Sequence, residues 1–439
     1  MRRRKLLGAV AIGVAVSMLA ACSGGGSGSD AAKEDGGHVE KLIQEGEKLD
    51  NQELYKKAIE ESNGKVMYGI GNSSRGAAAG EDFIEMLQGI DPSYTGQLEW
   101  SQPKQNSIFA TLASDNASKE HTYSIVLIQD GNQIQTKMVD TGILLNFIPK
   151  EWAEAEGVDV ENNSDPLALQ TLSKVFMVNN LGDKEYTNVW EFVGDGERPL
   201  FMGVNSEPVG KNFLIMLTRD DYADQMKAAY DALPPAEQAQ FKESIDEMEE
   251  EAKTLGFEGE NAKYSLAWIA RWVDQFNEET DDGPISQSLV NKSAAGETGL
   301  LVYSKLRSIE ESEGSSVKNV DIPAYADNYV GPGGFGYKHY LMIPETSPLP
   351  WTAMAFITFM VTTEEGFSAW GKDIGGYSAN PGINQDHSND GGDEFPQLND
   401  RGYDWWISPD GGALVIEDGE YAAKTAPILA DWIDARVGN

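Results

Sequence analysis

Cysteine occurs once in 439 residues, so this chain can build neither a disulfide framework nor a thiolate zinc cluster. Histidine is nearly as scarce, with four scattered copies, which makes a His-rich metal site improbable. Basic side chains number 34 against 71 acidic ones, a formal charge of −37. No basic face is concentrated enough to follow a phosphate backbone, so nucleic acid is excluded as a partner. Long apolar runs are missing after the first residues, which rules out a polytopic membrane protein. Also absent are a G-x-S-x-G elbow, an H-E-x-x-H pair, a P-loop and an EF-hand loop with its closing Glu. Residues 386–393 (DHSNDGGD) superficially suggest a calcium loop, but their oxygens lack the required spacing and read as a solvent loop. With so many carboxylates, a pair suited to glycoside hydrolysis carries no weight by itself. What is present suits a globular protein of two or three domains: 40% hydrophobic and 24% charged residues.

The chain opens on Met1-Arg2-Arg3-Arg4-Lys5, followed by an uncharged apolar run over residues 6–21 that is short for a membrane-spanning helix. Leu19-Ala20-Ala21-Cys22 resembles the bacterial lipobox. The resemblance implies cleavage before Cys22 and a diacylglycerol on its sulfur, a membrane anchor worth about 0.8 kcal/mol per buried CH₂. Loss of the four basic residues of this signal, residues 1–22, takes the charge from −37 to −41. Residues 23–38 (SGGGSGSDAAKEDGGH) form a flexible tether, which as a random coil spans roughly 20 to 24 Å.

From residue 64 the pattern alternates. Residues 64–70 (GKVMYGI) read as a buried strand, residues 71–76 as a Gly/Ser turn and residues 77–88 as a helix. The same grammar recurs with a strand at 97–100, a helix at 106–113, the strand YSIVLIQ at 123–129 and a helix to 140. Further apolar segments lie at 142–149 and 174–178. Alternation of this kind predicts α/β architecture, a mainly parallel sheet with helices on both faces and ligands at the carboxyl ends of strands. Residues 220–255 form two helices broken at Pro234-Pro235, and 264–276 form an amphipathic helix. Strands of a second sheet are expected at 299–303 and 317–322, and a turn-rich, mobile connection at 325–337.

Tyr340-Leu341-Met342-Ile343-Pro344, then Pro348, Ala353, Phe356, Phe359-Met360 and Thr363-Glu364-Glu365-Gly366-Phe367, resemble a late motif of bacterial extracellular solute-binding lipoproteins of ABC uptake systems. Glu53-Leu54-Tyr55-Lys56-Lys57-Ala58 with residues 64–68 looks like the opening of that family's iron-, polyamine- and sugar-binding branch. The resemblance covers most of the chain. It implies two doubly wound α/β lobes joined by a hinge, periplasmic-binding-protein-like of type II. Lobe 1 is expected at 39–177 and 335–380, and lobe 2 at 178–334 and 381–439. It further implies a monomer that takes up a small-molecule solute, needs no cofactor and delivers the solute to an ABC transporter permease at the outer face of the membrane. Closure of two such lobes on a ligand is a population shift, with no covalent step.

Candidate ligand contacts follow. Ser73, Ser74 and Arg75 stand at a predicted helix N-terminus, where free N–H groups, hydroxyls and a guanidinium suit a carboxylate, phosphate or sugar; Ser73 or Ser74 serves equally well as a plain N-cap. Asp130 follows the next strand and reads either as an acceptor for a ligand or as a simple Asp-Gly turn. Asn180 lies where the family's chain crosses between lobes. Trp268, Tyr303, Tyr329, Tyr337 and Tyr377 are candidates for stacking on a sugar ring, although most aromatic residues fill cores. No Tyr-Tyr pair of the kind characteristic of the family's iron binders occurs. The expected solute is therefore a carbohydrate or small organic anion, with ferric iron or a polyamine as alternatives. A secreted carbohydrate-active enzyme and a surface adhesin are the rivals of another class.

Overall fold

The computed structural model describes residues 37–103, 105–118, 121–205, 208–408 and 412–437. The signal segment, Cys22 and all of the tether before Gly37 lie outside the described residues.

Among the described residues twelve strands form the sheet system: β1 (Val66–Gly71), β2 (Gln97–Ser101), β3 (Ile125–Ile128), β4 (Leu144–Leu145), β5 (Ala168–Asn179), β6 (Leu200–Met202), β7 (Asn277–Glu279), β8 (Thr298–Val302), β9 (Val320–Asp321), β10 (Gly334–Pro344), β11 (Gly376–Ser378) and β12 (Val415–Ile416). The main order is β2-β1-β3-β10-β5-β8-β6-β7. The outer strands are parallel in each half, β1 with β2 and β3, and β6 with β7 and β8. The two long central strands break that rule. β10 runs antiparallel to β3 and to β5, and β5 runs antiparallel to β8 and β11. The expectation of a mainly parallel sheet thus holds for the wings and fails at the centre, where the chain must cross back between the halves.

The crossing divides the buried cores. One core gathers residues between Val39 and Leu169 with residues between Tyr340 and Ile383. The other side holds two clusters, one running from Leu172 to Tyr337 with a C-terminal contribution from Val415 to Ile433, the other around Val175, Tyr303 and Trp406. Along β5 the buried side chains change from one core to the other between Leu169 and Leu172, and along β10 between Tyr337 and Tyr340. The expected mobile connection at 325–337 is corrected in its last part, because Gly334 to Tyr337 open β10 and are buried.

Local chemistry places these elements where the patterns put them. Asp50 and Glu53 form a reciprocal capping box at the start of the Asn51–Ser62 helix. Pro350 occupies the first turn of the Pro350–Thr362 helix, and the Thr363 hydroxyl accepts from Gly366 N–H at 2.9 Å to start Glu364–Gly371. The glycines around β1 have a packing reason. A Cβ on Gly69 or Gly76 would sit 2.4 or 2.1 Å from the Trp100 ring, so the indole can lie across the strand-to-helix turn only because both are Gly.

Candidate functional site

A cavity of about 610 Å³ lies where the two lobes meet on one face of the crossing strands. Its floor carries Thr171 of β5 and Lys338 and Tyr340 of β10. Gly131, Gln135 and residues 159–166 wall it on the first-lobe side; Arg219, Asp221, Tyr222 and Gln225 wall it on the second, with residues from 403–408 and 412–420 closing it. Seven carboxylates line it, Asp159, Glu161, Asp165, Asp221, Glu417, Asp418 and Glu420, against two cations, Lys338 and Arg219.

Both cations are engaged. Lys338 is buried, and its Nζ donates to the Asn162 carbonyl at 2.6 Å; burial pushes its ammonium below the usual lysine range, although Glu417 pulls the other way. The Arg219 guanidinium is held by Asp221 at 2.7 and 2.9 Å and by Asp418 at 3.3 Å, and it stacks 4.5 Å from the Tyr222 ring. Glu417 is also buried. It accepts from Lys338 N–H at 3.0 Å, Gly131 N–H at 3.3 Å, Asn212 Nδ2 at 3.2 Å and Tyr340 O–H at 3.2 Å. Burial raises its pKa to about 7. A wall of acceptors with tyrosine rings and few available cations suits hydroxyl or ammonium donors better than an anion. Among the described residues no group of three or more His, Cys, Asp or Glu side chains is placed to hold a metal ion.

None of the ten residues expected from sequence lines this cavity. Ser73, Ser74 and Arg75 do stand at the start of the Arg75–Ile90 helix, but Arg75 donates to the Trp370 carbonyl at 2.9 Å and to Asp373 at 2.5 Å. Ser73 Oγ accepts from Arg75 N–H at 3.3 Å, and its carbonyl accepts from Trp100 Nε1 at 2.8 Å. Asp130 is buried next to the cavity-lining Gly131 and accepts from Asn212 Nδ2 at 2.9 Å and Gln133 Nε2 at 2.5 Å. Asn180 fastens the end of β5 to Lys318 O at 3.0 Å and Asp321 at 2.9 Å.

The aromatic candidates are committed to packing. Trp268 is wholly buried, stacked on Trp272 at 5.0 Å, with its Nε1 donating to Val189 O at 3.0 Å. Tyr303 is buried with its hydroxyl against Tyr325 at 2.5 Å and Gln397 O at 2.8 Å. Tyr329 donates to Pro332 O at 2.9 Å. Tyr377 donates to the buried Asp400, and Tyr337 lies edge-on to His339 at 5.9 Å. Strand alternation explains two near misses: Tyr337 and Tyr377 immediately precede Lys338 and Ser378, which do line the cavity. The residues that sequence reasoning missed, Lys338, Arg219 and Glu417, are charges in apolar or ordinary acidic surroundings. Only Lys338 left a signal, a lone cation inside a run of strand-forming aromatics.

No family model and no curated protein matches the chain. Solved structures do. Iron-bound HitA from Pseudomonas aeruginosa aligns at TM-score 0.51 and 12% identity over 85% of this chain and 99% of its own. Apo FutA2 from Synechocystis PCC6803 aligns at 0.52 and 11% over 84% and 98%, and a Bordetella ferric binding protein at 0.51 and 9% over 85% and 99%. The shared architecture is the two-lobed, type II periplasmic-binding-protein fold, as the sequence resemblance implied. At these identities the likeness establishes the fold.

Proposed function

We propose that the chain is the substrate-binding component of an ABC uptake system, a receptor that traps a small polar solute between its lobes and releases it unchanged. The observation that carries this reading is the cavity of about 610 Å³, walled by both lobes and floored by the strands that connect them. A ligand touching both walls stabilises the closed arrangement only, and a permease reads that shape. The fold shared with solute-binding proteins supports a binding role and gives no support to a catalytic one. Lipid attachment at Cys22, placing the body at the outer face of the membrane as a monomer, belongs to the same proposal.

The solute is a polyhydroxylated compound of the carbohydrate class. Carboxylates accept its hydroxyls, and Tyr222, Tyr340 and Tyr403 border the same space. The acidic wall weighs against the small organic anion also expected from sequence. Iron, which HitA holds in its solved structure, is the second reading. Thermal-shift screening of the purified protein against mono- and oligosaccharides, sugar phosphates, polyamines and ferric citrate separates these classes. A true ligand adds about 2.7 kcal/mol of stability at a hundredfold excess over Kd. Turnover of a glycoside during the screen contradicts the receptor reading.

A further inference from the structure

Asp130, Asn212 and Glu417 make a buried polar cluster whose members come from different parts of the fold. Asp130 closes the end of β3 in the first lobe. Asn212 sits on the Pro208–Met216 helix of the second. Glu417 stands between β12 and the Gly419–Asp434 helix, whose buried residues Ala422, Ala426 and Leu429 belong to the second core. The Asn212 amide donates to Asp130 at 2.9 Å and to Glu417 at 3.2 Å, so both carboxylates crowd one neutral group.

Among the described residues no cation neutralises them at hydrogen-bond distance. Lys338 points its Nζ at Asn162 O, Arg219 is held by Asp221 and Asp418, and Lys137 donates to Gln133. Asp418 and Glu420 on the adjoining segment, and Asp159 across the cavity, add negative charge. Tyr340 supplies a neutral hydroxyl. Two buried carboxylates so placed are stable together when they hold one proton between them.

We propose that Asp130, Asn212 and Glu417 form a proton-holding latch between the lobes: one shared proton keeps them together, and its loss lets them separate. When the lobes part, each carboxyl meets water and ionises in the ordinary range. Held together, burial first and then the Asp130 charge raise Glu417 from 4.5 to about 7, and burial raises Asp130 as well. Closure therefore takes up a proton between about pH 4.5 and 7. As pH rises through that window the closed-to-open ratio falls by up to about tenfold per unit, and above it the ratio is level. The latch acts without any solute, so it stands or falls independently of the proposed ligand.

The test is amide hydrogen exchange of the solute-free full chain from pH 4.5 to 8.5, each rate divided by its intrinsic value. The amides of Gly131 and Lys338, which donate to Glu417, are expected to lose protection as pH rises and to level off above about 7. Glu417→Gln is expected to hold this protection constant across the range, and Asp130→Asn, which leaves Glu417 buried and removes the neighbouring charge, to lower the pH at which protection levels off. Infrared spectra at pH 6 are expected to show a protonated buried carboxyl that Glu417→Gln removes. Protection in the native chain that is independent of pH, a pH dependence that survives Glu417→Gln, or one that Asp130→Asn leaves unmoved overturns the latch.

Discussion

The two faces of β10 are made from the same eleven residues and behave as different materials. On one face Tyr337 and His339 are packed solid: the His339 ring bonds Gln170 at 3.0 Å and Gln129 at 3.3 Å. On the other, Lys338 and Tyr340 border a cavity and a carboxylate cluster. The faces also answer pH in opposite senses. Burial, reinforced by the Arg75 charge, lowers His339 to about 3, so it stays neutral, whereas burial raises Glu417 on the other side to about 7. A crossing strand can thus be packed on one side and border a cavity on the other, with the period of two deciding which residue does which.

Substitutions on the packed side are expected to cost stability and leave ligand affinity alone. The largest loss follows Trp268→Ala, about 3–5 kcal/mol for an aromatic removed from the second-lobe core, seen as a fall in denaturation midpoint with an unchanged Kd in the surviving folded fraction. Next comes the acid response of His339. The unfolded chain takes up a proton below about pH 6.5 and the folded one refuses it until about 3, so stability falls as pH drops through that window, by up to about 1.4 kcal/mol per unit. Denaturant titrations of His339→Gln should show that slope reduced by one proton. On the cavity side, Lys338→Met should weaken solute binding roughly ten- to hundredfold, because the Asn162 carbonyl in the cavity wall loses the partner that holds it, and calorimetry against the captured solute measures it. Arg75→Ala should change least. Its partly exposed ion pair with Asp373 is worth about 1 kcal/mol or less, and an affinity equal to that of the unaltered chain would confirm that Arg75 fastens one part of the protein to another.

Most of the wings were legible in the sequence because their signals are local. The YSIVLIQ run became β3, the Pro234-Pro235 break separates the Asp220–Ala232 and Pro235–Thr254 helices, and Thr363 caps the helix its motif promised. The crossing strands were legible only in part. KVFMV is the second half of a twelve-residue β5, whose first half, ALQTLS, carries polar residues that pair with β10 and β11. The site was least legible. Its wall joins residues from 131, 159–166, 219–225, 338–340, 403–408 and 412–420, which only the fold brings together. Glu417 is one of 71 acidic residues and has no local mark. The aromatic residues that looked like ligand platforms were drawn into cores, where their large area yields more stabilisation than it would at a cleft edge.

Capture between the lobes without chemistry is put to the test by calorimetry of the unaltered and Lys338→Met chains against the solute selected by the thermal screen, with the solute recovered afterwards for mass analysis. One solute per chain, recovered intact and bound at least tenfold more weakly by the variant, is the predicted result. An altered solute, or binding indifferent to Lys338, would contradict it.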